Sequence, residues 1–172
     1  MRAIQHQQVI NCQYVSLSSG ASHREIIPHA IVNNGHRWHI RAFDRKSNSF
    51  RDFVCTRFIT VTEKNEPTQN HELAAADIAW TTILPIVLKP HPKLSHSLAI
   101  ELDYSMTNGE ITLDIRAALA GYLLQQWQVD CSINYQLNEK QYPLALANVG
   151  VLANCDNALL APGFITTFKQ EA

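Results

Sequence analysis

Between Arg24 and Arg57 the chain runs REIIPHAIVNNGHRWHIRAFDRKSNSFRDFVCTR, and polar and apolar side chains alternate along it in short runs with no helical period. In His36–Phe43, Trp38, Ile40 and Ala42 alternate with Arg37, His39 and Arg41. Successive side chains of a strand point to opposite faces. One face is therefore expected to be apolar, with Trp38 in the core, while the other carries two guanidiniums around an imidazole. A basic stripe of that spacing suits an anionic ligand or a phosphate backbone.

The strand pattern extends to both sides. Residues 8–19 begin with β-formers and end in a serine run before Gly20, Arg24–Val32 is a second strand, His36–Asp44 a third and Phe50–Thr62 a fourth. Asn33-Asn34-Gly35 tolerates positive φ and predicts a tight hairpin. Strands at this spacing with no helix between them predict a small antiparallel barrel or sandwich over residues 1–63. Residues 64–78 read as a linker or a short exposed helix. From 79 to 172 the order changes: a strand at Thr81–Leu88, a helix at Leu94–Asp103 and a strand at Glu110–Asp114. A helix with Ile115, Ala118, Leu119, Tyr122 and Leu123 on one side follows, then a strand at Gln128–Leu137. That β-α-β-α-β order makes the whole an α+β chain. The last 35 residues are apolar and weakly patterned.

Charge is unevenly spread. The net charge is −1 and charged residues make up 17% of the 172, so affinity for phosphates must come from a local patch. Residues 1–64 hold nine Lys/Arg against four Asp/Glu, and residues 65–172 five against eleven. Cys12, Cys55, Cys131 and Cys155 stand far apart, without zinc-ligand spacing or a secreted disulfide pattern, and are expected to be reduced. No signal peptide or membrane-length apolar run is visible. The expected location is cytoplasmic, with no membrane partner, metal or cofactor.

Several motifs in order resemble the WYL-domain family: Arg24-Glu25-Ile26-Ile27-Pro28, Trp38-His39-Ile40, and Arg51-Asp52-Phe53 followed by Arg57-Phe58-Ile59. Downstream, Lys89-Pro90-His91-Pro92-Lys93-Leu94-Ser95, Asp103-Tyr104-Ser105-Met106, Arg116-Ala117-Ala118-Leu119 and Tyr122-Leu123-Leu124 are similar to the extension that accompanies WYL domains. Together they look most like regulators of bacterial anti-phage defence islands of the BrxR/CapW type. The resemblance implies an SH3/Sm-like barrel followed by a ferredoxin-like extension. It also implies transcriptional regulation, a nucleotide or nucleic-acid-derived ligand, and a homodimer built through the extension. Two departures stand out. His39 replaces the tyrosine of the namesake triplet, and no winged helix-turn-helix precedes the first strand. Operator DNA is thus expected to be reached only through a helix-turn-helix outside this chain.

The resemblance places Arg24, Arg41 and Arg57 around one pocket, where a planar fork suits bidentate phosphate binding. The alternative is salt bridges with Asp44, Asp52 or Glu25. His39, on the same face as Arg37 and Arg41, is expected to stay neutral beside two cations and to serve a base or ribose; otherwise it is a hydrogen-bonded structural histidine. His29 shares a face with Ile27 and Ile31 and reads as a satisfied, partly buried histidine that the family likeness makes a site candidate. Tyr14, Ser16 and Ser18 offer three hydroxyls on one side of the first strand, or a solvated face. Phe53 could stack on a base or fill the core.

Met106 and Tyr104 are expected in a core or dimer interface. His91 and His96 lack partners for a metal. Three functions are compatible with these residues. The first is a ligand-sensing and dimerisation module of a WYL-type regulator, and the second a non-specific single-stranded nucleic-acid binder. The third, a phosphodiesterase-like enzyme using His39 and Arg41, lacks a nucleophile, a metal set and a carboxylate base.

Overall fold

Five strands, where four were expected, build the first of two units. The computed structural model describes residues 1–165, and the chain divides into Met1–Ile78 and a second unit from Ala79 onward. A short helix α1 (Arg2–Gln5) precedes β1 (Val9–Ser16), β2 (Gly20–Asn33), β3 (Trp38–Asp44), β4 (Ser49–Val54) and β5 (Phe58–Lys64). The predicted fourth strand breaks at a 3-10 turn, Cys55–Arg57. That turn sends its halves to opposite edges of an antiparallel sheet ordered β4-β3-β2-β1-β5. The β2–β3 hairpin has a four-residue loop because Asn33 pairs with Trp38. Gly35 takes φ +87° there, and Asn34 Oδ1 accepts from the amides of His36 at 3.1 Å and Arg37 at 2.9 Å.

Both faces of this sheet are covered. Ile10, Cys12, Tyr14, Ile26, Ala42 and Phe53 form the core of one face. Tyr14 meets Phe53 edge-on at 5.0 Å and Phe58 at 5.1 Å, and the Val54 amide donates to the Tyr14 hydroxyl at 3.1 Å. Strands β1 and β4 are not neighbours in the sheet, so these contacts mean that it is strongly curled. No ladder joins β4 to β5 among the described residues. The other face carries Val9, Ile27, Phe43 and Phe50.

The segment expected as a linker or exposed helix contributes two 3-10 turns, Asn70–Glu72 and Ala74–Ala76, and two buried acids, Glu72 and Asp77. His71 packs its ring on Phe43 at 5.3 Å. This coverage overturns the expected exposure of β3. His39 and Arg41 are only 6% and 4% exposed, whereas Trp38, expected in the core, is 56% exposed beside the hairpin loop. The alternation holds, but the basic side is the sealed one.

Helix α2 (Ile78–Thr81) falls at the division between units. The second unit continues with β6 (Ile83–Pro90), α3 (Leu98–Asp103), β7 (Ile111–Arg116), α4 (Ala117–Gln126), β8 (Val129–Asp130) and β9 (Leu144–Leu146). Its sheet is ordered β7-β6-β9-β8, antiparallel except for the β8–β9 pair. Strands β6 and β7 lie side by side and antiparallel, unlike the parallel pair of a split βαβ unit. The strand expected over Gln128–Leu137 shrinks to two residues because Asn134 and Tyr135 turn the chain at φ +64° and +53°.

The helical stripes also differ from the expected ones. In α3, Leu98 and Leu102 are exposed, while Ile100, with Tyr104 and Met106 just after the helix, packs on the core of Leu84, Ile86, Leu88, Leu124, Leu144 and Leu146. In α4 the buried side is Ala117, Ala118, Ala120, Gly121 and Leu124, where small residues admit a close neighbour. The Gly121 amide donates to Asn157 Oδ1 at 2.9 Å, and Asn157 Nδ2 donates to the Ala118 carbonyl at 2.7 Å. Of the weakly patterned tail, residues 166–172 lie outside the described residues. The four cysteines form no disulfide. Among the described residues no helix is long and apolar enough to cross a membrane.

Candidate functional site

A β-bulge in the Pro28–Ala30 stretch of β2 sets the geometry of the most polar part of the first unit. Proline cannot donate to the ladder, and the extra residue unpairs locally. As a result Ile27 pairs with Phe43 while Ile31 pairs with Ile40, so the two isoleucines expected on one face lie on opposite ones. His29 stays on the face of Ile27, edge-on to Phe50 at 5.7 Å. There its Nε2 lies 3.0 Å from Asp77 Oδ2.

The same carboxylate holds Arg41. Arg41 Nε donates to Asp77 Oδ2 at 2.8 Å and Nη2 to Oδ1 at 2.9 Å, the two-pronged geometry that guanidinium forms with carboxylate or phosphate. Arg41 Nη1 also reaches Asp52 Oδ1 at 3.4 Å. Burial works against the charge of Arg41, but the bonds from Asp77 and the nearby Asp52 outweigh it and hold the guanidinium more firmly protonated than usual.

Next to this clamp, His39 is held neutral, first by burial and then by the positive charges of Arg37 and Arg57, although Asp52 and a hydrogen bond to the Arg37 backbone pull the other way. Arg37 is exposed and Arg57 partly so. Neither forms an ion pair among the described residues. The cations that lower its pKa are Arg37 and Arg57, while Arg41, expected beside it on the same strand face, is turned to Asp77.

The other candidates are dispersed. Arg24 is on the opposite face, bonded through Nη1 to the buried Asp44 Oδ2 at 2.5 Å, with its guanidinium carbon 5.9 Å from the centre of the Phe53 ring. Arg24, Arg41 and Arg57 thus do not share a pocket: two of the three are matched by internal carboxylates. Tyr14 and Phe53 are core rings. Ser16 and Ser18 sit at the β1–β2 turn, 3.1 Å apart and bonded to each other.

Concavities among the described residues flank the sheet. A cleft of 610 Å³ is lined by Asn11, Cys12, His23, Arg24, Glu25, Arg45 and Lys46. Its charges are largely cancelled, because Arg45 binds Glu25, Glu66 and Glu72 and Lys64 binds Glu25 and Glu66. An apolar groove of 480 Å³ includes Ile10, Ile31, Ile40, Phe58 and Val61 together with Met1–Ile4.

Sequence reasoning missed Asp77, the residue that organises the site. The available signal was an acid set in an otherwise apolar run, Ala74-Ala75-Ala76-Asp77-Ile78-Ala79-Trp80.

In the second unit the buried His91 lies 3.1 Å from Asp130. Burial opposes the charge of Asp130, but bonds from Ser132, Leu137 and His91 outweigh it and keep its carboxyl below the usual range. The Lys93 amide donates to His91 Nδ1 at 3.2 Å. With Nδ1 accepting there, the ring proton is on Nε2 and goes to Asp130. Both nitrogens are occupied in bracing the fold, so this pair is not a general base. Among the described residues no group of three or more His, Cys, Asp or Glu is placed to hold a metal.

Comparison with known proteins gives a family for both units. Residues 1–63 match the model of the WYL domain. Residues 83–152 match the BrxR transcriptional regulator, C-terminal dimerization domain. A DNA-binding transcriptional repressor CapW from Escherichia coli (strain KTE188) is 36% identical over 151 residues, 86% of this chain and 49% of that protein. The CapW repressor of Pseudomonas aeruginosa is 39% identical over 129 residues, 73% of this chain and 42% of that protein. The chain thus spans about half the length of these relatives. A solved structure, proteasome accessory factor B/C (PafBC) of Arthrobacter aurescens, overlays 92% of this chain and 26% of its own at 14% identity and a TM-score of 0.40. The chain thus carries a WYL domain followed by a BrxR-type C-terminal dimerization domain.

Proposed function

We propose that this chain is the ligand-sensing and dimerising part of a cytoplasmic WYL-type repressor of the phage-defence kind. Its first unit takes a nucleotide or nucleic-acid-derived anion, and its second unit pairs two copies. The whole regulator would reach operator DNA through a helix-turn-helix outside the residues present here, and occupancy of the sensor would alter operator affinity. The relatives are named as repressors, not as enzymes. In this reading the curled five-stranded sheet is an SH3/Sm-like barrel left open between β4 and β5.

The observation that carries the reading is His39, its pKa lowered by burial and by the charges of Arg37 and Arg57, two cations that make no ion pair among the described residues. Guanidiniums of this kind suit phosphate oxygens, and a neutral imidazole both donates and accepts toward a base or ribose.

The test is calorimetric titration with adenosine mononucleotides, cyclic dinucleotides and single-stranded oligothymidylate. Saturable binding of a nucleotide is expected, weakened by about tenfold or more in Arg37→Ala/Arg57→Ala because charge-assisted bonds contribute about 1.5–3 kcal/mol each. Binding of oligothymidylate alone, with a steep salt dependence, would instead identify a non-specific single-strand binder. An Arg37→Ala/Arg57→Ala variant that binds as tightly as the parent removes the proposed contact surface.

A further inference from the structure

Asp77 occupies Arg41 as an anionic ligand would. Its two oxygens receive Nε and Nη2 at 2.8 and 2.9 Å, and His29 approaches the same Oδ2 at 3.0 Å. The side chains of Arg41, Asp77 and His29 are 4%, 2% and 6% exposed. We infer that Arg41 and His29 form an oxyanion subsite, adjoining His39, in which the Asp77 carboxylate is an internal stand-in for a phosphate group of the ligand. The inference rests on the proposed sensing function and assigns its regulation. A ligand that places one phosphate on Arg37 and Arg57 presents the next to Arg41, and it must displace Asp77 to bind there.

The exchange is physically cheap. Removing a partner from a buried charge is strongly unfavourable, but replacing one oxyanion with another leaves the guanidinium fork filled. Displacement also has a mechanical result. Asp77 ties down a strap also held by Glu66 and Glu72 on Arg45, the latter at 2.7 and 3.0 Å, and by the His71 ring on Phe43. Asp77 precedes the second unit by two residues, so changing its tie alters the hold on the chain that leads into the dimerization domain. Occupancy of the sensor is thereby coupled to a segment outside the ligand's reach.

Inorganic pyrophosphate is a suitable probe, because it carries two phosphates and no base. Hydrogen exchange of the whole chain, with and without saturating pyrophosphate, reads the strap directly. Faster exchange at residues 74–77 is expected, with the β1–β2 ladder unchanged. Slower or unchanged exchange there, at proven saturation, overturns the inference.

Asp77→Asn keeps the shape and removes the charge, so it should bind pyrophosphate at least about tenfold tighter than the parent, a gain that Arg41→Lys abolishes. Equal affinity of Asp77→Asn and parent also overturns the stand-in role, yet leaves the sensing function intact if Arg37→Ala/Arg57→Ala still weakens nucleotide binding. Failure of that second variant to change nucleotide binding tells against the sensing function itself. Should Asp77→Asn not fold, the exchange measurement on the unmodified chain decides alone.

Discussion

Arg24 and Asp44 close on each other at 2.5 Å across neighbouring strands, and Asp44 has no solvent exposure. The same carboxylate accepts from the Lys46 amide at 3.1 Å and the Ser47 hydroxyl at 2.9 Å, so it braces the β3–β4 turn as well as the strand pair. Arg24 therefore serves the fold.

Asp44→Ala should lower unfolding free energy by about 3–5 kcal/mol, since it strands a largely buried guanidinium and opens the turn. Urea denaturation measures this. The replacement Arg24→Met with Asp44→Leu should recover much of the loss, because packed apolar groups often substitute for a buried pair at little cost. A double variant as unstable as Asp44→Ala would show that the turn bonds, not the pair, hold this corner.

His39 gives a pH dependence of defined sign. Its folded-state pKa lies below the ordinary 6.5, with burial the largest cause. Below about pH 6.5 the unfolded chain therefore takes up a proton that the native site resists, and stability falls as pH drops through that window. Above it, between about pH 7 and 8, His39 contributes no slope. Thermal unfolding across this range should show a fall on the acid side that His39→Gln reduces. An unchanged slope in His39→Gln would assign the acid sensitivity to other groups.

Gly121 is fixed by a neighbour. A Cβ there would lie 2.1 Å from the Asn157 carbonyl oxygen and 2.7 Å from its Oδ1. Glycine inside a helix is ordinarily about 1 kcal/mol worse than alanine, so Gly121→Ala would stabilise α4 if space allowed. Here it should instead destabilise by about 1–3 kcal/mol through overpacking and loss of the Asn157 bonds. A variant as stable as the parent in calorimetry would mean that the 157 segment moves aside without cost.

What the sequence made legible was periodicity; what it hid was coverage. The two-residue alternation of His36–Phe43 correctly separates Trp38, Ile40 and Ala42 from His39 and Arg41. It does not say which side another segment covers, and here a strap with Glu72 and Asp77 seals the basic side. The break at Cys55–Arg57 is invisible in a run of β-formers, since only the pairing of β5 with β1 requires it. In α4 the larger side chains suggested a stripe through Leu119 and Tyr122, but close packing selected Ala117, Ala120 and Gly121. Of the two cations that act on His39, Arg37 is named by alternation and Arg57 only by the family resemblance. Asp44 and Asp52 lie close enough in sequence to suggest themselves as partners for the arginines, while the Asp77 side chain meets His29 and Arg41 from 48 and 36 residues away.

The additional residue at His29 stands outside the ladder it interrupts. Pro28 and Ala30 pair with the consecutive residues Ala42 and Arg41, so deleting His29 would leave plain alternation with every other side chain of β2 on its present face. Ile31 would stay opposite Ile40 in the wall of the apolar groove, and the hairpin carrying Arg37 would keep its register. A single-codon loss at this point would thus remove one imidazole from the Asp77 carboxylate and spare the sheet that presents it.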